Sequence, residues 1–328
     1  MTSSAPRISL LLLALLSFVV TAGCDRDGGT PSTQQSSSSG KPKPVIGVSL
    51  LTLTNPFFKE MGDAMRQEAA KHGYEVVVTS AEMDAAKQRD QVKDFIASKV
   101  SAIILTPADS RSVGTAIAEA NGAGIPVFTA DIANLAPEAK VVSHVATDNY
   151  GGGKLAAQAV VEALGGRGEV AVLDHPQVES VIQRTRGFEE ELAARAPGIK
   201  IVAKLPGGGL REPSFNATQD LLQAHPNLAA IFAINDPSAL GAVAALEKGG
   251  KAGQVKVIGF DGQPEAKQAI RDGKIYADAI QHPQRIGMLA IDAVASYMDG
   301  QDVPKETLIP TSLYRQADAK IDPALKGQ

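Results

Sequence analysis

The sequence predicts an α/β protein of two doubly wound lobes, each a parallel sheet covered by helices on both faces. Short β-branched or apolar runs recur along the chain, each followed by a longer Ala-rich segment with helical spacing. Near-continuous apolar strands of this kind belong in parallel sheets buried on both faces. Roughly ten such strands spread over about 280 residues fit two lobes better than one sheet. Glycine stands where helices return to strands, at His72-Gly73-Tyr74, Gly124-Ile125-Pro126 and Gly165-Gly166-Arg167-Gly168, the left-handed position that stops a helix.

The chain opens with a segment outside this fold. Arg7 precedes the apolar run Ile8 to Val20, which is too short to span a bilayer and suits the core of a signal peptide over 1–23. The run ends at Thr21-Ala22-Gly23-Cys24. Small residues directly before a cysteine resemble a bacterial lipobox, in which Cys24 is acylated and becomes the first mature residue. Thr21 stands where Leu is usual there, and ordinary signal-peptidase cleavage is the alternative. Cys24 is the single cysteine, so no intramolecular disulfide forms and the core must hold the fold. From Asp25 to Pro44 the chain is mostly Gly, Ser, Gln, Pro and Lys, a composition that cannot offset its ordering entropy and predicts a flexible tether.

The body follows in order. Val45–Leu51 leads to a helical pattern over Phe57–His72, Glu75–Thr79 to Ala86–Lys99, and Ala102–Leu105 to Val113–Asn121, with Pro126–Thr129 and Val141–Val145 closing the first half. Then come Tyr150–Leu164, Val170–Leu173, Val181–Ala196, Ile199–Leu205, Phe215–His225, Ala229–Ile234, Ala239–Lys248 and Val255–Phe260. Each short member is rich in Val and Ile, each long member in Ala and charge.

Hydrophobic residues make up 44% and charged residues 21% of the chain, which reads as soluble and globular. The net charge is −4, and removing everything before Cys24 takes away one cation, Arg7, leaving −5. A mildly acidic chain without a basic stripe argues against nucleic acid.

Ligands of open α/β sheets bind beyond the carboxyl ends of the strands, where loops and helix N-termini gather. Seven predicted strand ends carry a short polar side chain: Asn55, Thr106, Asp131, Asp148, Asn235 with Asp236, Asp261 and Gln281. Helix capping accounts for Asp148, Asp236 and Thr106 taken singly. The set together predicts a cleft that hydrogen-bonds a polyhydroxylated ligand, because Asp and Asn each serve two neighbouring hydroxyls. At Asn55-Pro56-Phe57-Phe58, Pro56 suits a first helical turn and Asn55 its cap. Phe57 and Phe58 are either core residues or an apolar wall for a sugar ring. Arg184 is either a cationic fork toward the ligand or a surface charge.

Several of these stretches together resemble the ribose-binding proteins: Thr54-Asn55-Pro56-Phe57-Phe58, Ser143-His144-Val145-Ala146-Thr147-Asp148-Asn149, Arg184-Thr185-Arg186-Gly187-Phe188, Phe232-Ala233-Ile234-Asn235-Asp236, Val257-Ile258-Gly259-Phe260-Asp261-Gly262 and Ile280-Gln281-His282-Pro283. These are sugar-binding components of ABC transporters, related to the effector domains of LacI-type repressors. The resemblance implies a clamshell with a three-crossing hinge, one lobe over 45–147 and 282–309, the other over 148–281 and 310–328. It implies that Asn55, Thr106 and Asp131 meet the sugar from the first lobe with Phe57 and Phe58 as wall. From the second lobe and hinge it brings Arg184, Asn235, Asp261 and Gln281, with Phe260 in the stacking set. Three departures, Ile132 for Arg, Thr106 for Asn and Gly209 for an aromatic residue, put ribose itself in doubt and leave a sugar or polyol. The implied partners are an ABC permease and ATPase, with the membrane reached only through the lipid on Cys24. The implied state is a monomer without cofactor or metal.

The sequence offers an enzyme little. It holds no G-x-S-x-G, H-E-x-x-H or G-x-x-x-x-G-K-[ST] motif, and His72, His144, His175, His225 and His282 lie too far apart for a local metal motif. Gly151-Gly152-Gly153-Lys154 lacks the upstream spacing of a phosphate loop and reads as a helix start packed closely on a strand. A repressor would need a DNA-binding helix-turn-helix where this chain has its signal peptide. The other open roles are a ligand-presenting protein for a chemoreceptor or sensor kinase, or a receptor for a sugar-like signal molecule.

Overall fold

The structure, a computed structural model, describes residues 43–325. The expected signal peptide, Cys24 and nearly all of the tether lie outside the described residues. The body begins with β1 (Val45–Leu50), α1 (Pro56–Lys71), β2 (Glu75–Ser80), α2 (Ala85–Ala97), β3 (Ala102–Leu105), α3 (Val113–Gly122), β4 (Val127–Ala130) and β5 (His144–Thr147). It continues through α4 (Asn149–Leu164), β6 (Arg167–Asp174), α5 (Glu179–Arg195), β7 (Gly198–Pro206), α6 (Arg211–Ala224), β8 (Leu228–Ala233), α7 (Asp236–Lys248), β9 (Lys256–Asp261), α8 (Pro264–Arg271) and β10 (Ala277–Ile280). Then come α9 (Pro283–Met298), β11 (Glu306–Ile309), β12 (Ser312–Arg315) and α10 (Gln316–Ile321).

Two six-stranded sheets result, ordered β2-β1-β3-β4-β5-β11 and β7-β6-β8-β9-β10-β12. Every pairing is parallel except that of β10 with β12. In each sheet the winding reverses beside its first strand, β1 or β6, so helices cover both faces and loops gather at the carboxyl edge. The strands β1, β3, β4 and β8 to β10 are almost wholly buried, which is why they read as continuous apolar runs rather than alternating ones.

The chain passes between the sheets three times, after Thr147, after Ile280 and after Ile309. The crossings lie side by side: Thr147 Oγ1 donates to Gln281 Oε1 at 2.6 Å, the Asp148 N–H to Ile309 O at 2.8 Å, and the Thr311 hydroxyl to Ile280 O. Three neighbouring strands can bend together without either sheet being remade.

The structure departs from the sequence reading at several edges. The Val141–Val145 strand forms over His144–Thr147, with the Val142 N–H leading in by a bond to Val127 O. The α6 helix starts four residues before Phe215, at Arg211. Strands β11 and β12 are additional; four residues each and half-exposed, they carry no apolar run that would announce them.

Candidate functional site

The segments that follow β1 and β4 meet those that follow β6 to β10 around one cavity of about 520 Å³, within the range of roughly 300–1,000 Å³ usual for small-molecule sites. Of the residues singled out in the sequence, Asn55, Phe57, Phe58, Asp131, Arg184, Asn235, Asp261 and Gln281 line it.

Asn55 caps α1, its Oδ1 accepting the Phe57 N–H at 3.0 Å, with Pro56 in the first turn. That cap aims the helix N-terminus and both Phe rings at the cavity. Phe57 and Phe58 are buried and pack edge to face at 5.1 Å, so wall and core are one role here. Asp131 ends β4 in the left-handed region, φ +66°, a conformation with a cost for a non-glycine residue. Its amide is anchored to Val145 O at 2.8 Å. Its Oδ1 is buried and has no hydrogen-bond partner among the described residues. Burial pushes the Asp131 carboxyl up to about 7, with Arg184 pulling down and Asp261 adding to the rise.

Arg184 is buried, not a surface charge. Its Nε donates to Asn149 Oδ1 at 2.8 Å, its Nη1 donates to Ile234 O at 2.7 Å and stands 3.6 Å from Asp261 Oδ1. The guanidinium carbon lies 3.8 Å from the centre of the Phe260 ring. Close packing of α4 on α5 makes this possible. A Cβ at Gly153 would overlap the Arg184 carbonyl, one at Gly187 the Tyr150 carbonyl, and one at Gly152 the Phe260 ring. The Gly151-Gly152-Gly153 run is therefore a packing device, as its sequence suggested, lying against α5 as well as β9.

Asp261 receives Gln281 Nε2 on Oδ1 at 2.6 Å and Gln263 Nε2 on Oδ2 at 3.2 Å. Asn235 caps α7 through Ser238 and donates to Gly209 O, each at 3.0 Å, so its amide is engaged on both ends. Two residues stand elsewhere. Phe260 lies behind Arg184 and not on the cavity, because it precedes Asp261 on a strand and so points to the opposite face. Thr106 is wholly buried beneath the cleft, its carbonyl held by Gln88 Nε2 at 2.9 Å. Asp148 caps α4, whereas Asp236 leaves capping to Asn235 and accepts the Gln263 N–H at 2.6 Å. Ile132 and Gly209 both line the cavity.

Sequence reasoning missed Gln263 and Ser110. Gln263 spans the cleft, its Nε2 donating to Asn55 Oδ1 at 2.8 Å; the signal was its place before Pro264 at a helix start. The N-terminus of α5 has no side-chain cap of its own. Ser110 supplies one from the other sheet, its Oγ accepting the Glu179 N–H at 2.9 Å while its own N–H donates to Gln177 O at 3.0 Å. These contacts define a closed arrangement. Away from the cleft, buried Glu68 and half-buried Asp292 cluster with exposed His72 where the end of α1 meets α9, with His72 Nε2 2.9 Å from Asp292 Oδ1.

Two doubly wound lobes hinged by three adjacent crossings, with polar side chains from both facing one cavity, define a clamshell binding protein. The particular family follows from comparison: the periplasmic binding protein domain matches residues 46–302, and the chain belongs to that family. It is 36% identical to the ribose import binding protein of Bacillus subtilis over 308 residues, 93% of this chain and 98% of that one. It is 34% identical to the D-apiose import binding protein of Actinobacillus succinogenes, over 69% of this chain and 73% of that one. A solved structure of an ABC transporter periplasmic solute binding protein from Actinobacillus succinogenes with bound D-allose superimposes with a TM-score of 0.78 at 34% identity, covering 85% of this chain and 99% of that one. The family is one of extracytoplasmic binding proteins, not of enzymes.

Proposed function

We propose that the chain captures a monosaccharide or polyol between its lobes and delivers it to an ABC permease. The observation that carries this is Asp131: a buried carboxyl that lines the cavity beside two Phe rings, with one oxygen left without a partner. A sugar offers what that site lacks, a hydroxyl for the carboxylate and C–H faces for the rings. Asp131, Arg184, Asp261 and Gln281 are the polar ligands, Asn55 offers its Nδ2, and Phe57 and Phe58 form the wall. Asn235 lines the cavity with its amide engaged by Gly209 and Ser238, and Thr106 and Phe260 act behind the lining.

The first lobe comprises 45–147 and 282–309, the second 148–281 and 310–328. Ligand hydroxyls bridging both lobes stabilise the closed form, and that closed shape is what a permease would recognise. Cys24 carries the lipid that holds a monomeric body to the membrane through the 24–44 tether after loss of 1–23. Mass spectrometry of the amino-terminal peptide tests the anchor, since an unmodified Cys24 would remove it.

The test of function is isothermal titration against ribose, xylose, fructose, galactose, allose, myo-inositol and xylitol. One-to-one binding of one member, lost at least tenfold in Asp131→Asn, is the expected result. No heat with any of them would overturn the sugar reading.

A further inference from the structure

We infer that Gln263 is the latch tying the closed lobes across the cleft, and that the buried carboxyls of Asp236 and Asp278 form the clamp that positions it. Gln263 Nε2 stands between two acceptors, Asn55 Oδ1 of one lobe at 2.8 Å and Asp261 Oδ2 of the other at 3.2 Å. Asn55 Oδ1 is fixed as an acceptor by the Phe57 N–H, so the nitrogen of the Gln263 amide must face it. The latch is therefore a side-chain bridge that exists only when the lobes are closed.

The backbone that presents it is held in an unusual way. The Gly262 N–H donates to Asp278 Oδ2 at 3.0 Å, and the Gln263 N–H to Asp236 Oδ2 at 2.6 Å. Gly262 has φ +82° and lies so close to Ile280 that a side chain there would strike it. Two consecutive amides are thus gripped by two carboxyls from different elements, α7 and β10.

Both carboxyls are wholly buried, and the second oxygen of each, Oδ1, has no partner among the described residues. Both Oδ1 atoms lie 3.2 Å from the point where a Cβ at Gly259 would stand. One proton shared between the two carboxyls satisfies both oxygens and leaves a single charge, whereas two neighbouring anions in a dry interior repel. The other charged groups facing the pair are Asp261 on β9, which adds repulsion, and Arg184 on α5, which offsets part of it. Lys267 of α8 is engaged with Asp322 instead. Burial raises both carboxyls: Asp278 to about 7, with the bond to Asp236 pulling it down and Asp261 adding to the rise, and Asp236 well above its usual range, with repulsion from Asp278 and Asp261 adding to the rise. Loss of the shared proton loosens the grip on Gly262 and Gln263, and with it the latch.

This inference rests on the cleft opening and closing, as the proposed function does, and its test uses no ligand so that the two can fail separately. The radius of gyration of the ligand-free full chain is measured by small-angle X-ray scattering from pH 5 to 8.5. The wild type is expected to stay compact up to about 7 and to expand toward the alkaline end of the range, where the last proton of the pair leaves. Asp278→Asn, whose amide can donate permanently to Asp236, should stay compact across the range. Gln263→Ala should be expanded at every pH, with the clamp intact. A wild type of constant radius, an Asp278→Asn chain that still expands with pH, or a Gln263→Ala chain as compact as wild type at pH 5 would each overturn the proposal. Should Asp278→Asn fail to fold, the wild-type profile and Gln263→Ala still decide it.

Discussion

Ser110 of the first lobe caps the first helical amide of the second, its Oγ 2.9 Å from Glu179 N. The cap exists only while the cleft is shut, because Ser110 follows β3 and Glu179 opens α5. Gln88 holds the loop in place by accepting the Ala108 N–H at 2.8 Å and donating to Thr106 O. Helix caps contribute about 1 kcal/mol, and here that energy goes to closure rather than to either lobe. Ser110→Ala should therefore weaken ligand affinity about fivefold with little change in the melting temperature of the ligand-free chain. Titration and calorimetry check the two halves, and a large loss of ligand-free stability would show that Ser110 serves the first lobe alone.

Arg184 is buried among Asp261, Asn149, Ile234 O and the Phe260 ring. A lysine cannot reach two hydrogen-bond partners in fork geometry while lying flat on an aromatic face. Arg184→Lys should lower the melting temperature and weaken binding. Arg184→Ala, which strands Asp261, should cost about 3–5 kcal/mol of stability. Chemical denaturation measures both, and a neutral Arg184→Ala would move the ion pair out of any structural role.

How much of this was legible beforehand depends on where each residue sits relative to a strand. The doubly wound lobes were readable because buried parallel strands are continuous apolar runs, whereas β11 and β12 mix Glu, Ser and Arg with few apolar residues. Asn55, Asp131, Asp261 and Gln281 were readable because a strand end pins the side chain that follows it. Phe260, which the resemblance puts in the stacking set, lies off the cavity and against Arg184, because alternation along β9 turns it away from the face that Asp261 presents. Thr106 ends β3 as expected, yet Gln88 draws its loop beneath the cavity. The pairing of Asp236 with Asp278 joins a helix start to a strand 42 positions away and leaves no local pattern.

The glycines of α4 and α5 carry a prediction about packing. Gly153 meets the Arg184 carbonyl and Gly187 the Tyr150 carbonyl, backbone against which no side chain can yield. Gly153→Ala should force the helices apart and destabilise the chain by about 1–3 kcal/mol, despite the better helix propensity of alanine. Gly122→Ala, where a Cβ would meet nothing within 4 Å, is the control and should be neutral or slightly stabilising. Equal melting temperatures for Gly153→Ala and wild type would show that the two helices have room to move.

The last prediction concerns protons. Burial raises the Asp131 carboxyl from 3.8 to about 7 in the ligand-free chain. The folded state therefore holds a proton that the unfolded chain releases between those values, and its stabilising contribution, full below pH 3.8, is lost as pH rises through 7. A ligand hydroxyl donating to the carboxyl favours the ionised form and lowers that value. Binding should then expel a proton near neutral pH, and affinity should fall by up to about tenfold for each pH unit below 7. Titration of the bound sugar in two buffers of different ionisation enthalpy detects the release directly at pH 6, and it should vanish at pH 8.5. Asp131→Asn should abolish it, while Asp278→Asn, which alters a different carboxyl, should leave it in place. Release that survives Asp131→Asn but disappears in Asp278→Asn would move the titrating group from the cavity to the pair behind it, and with it the case for Asp131 as the residue that meets the ligand.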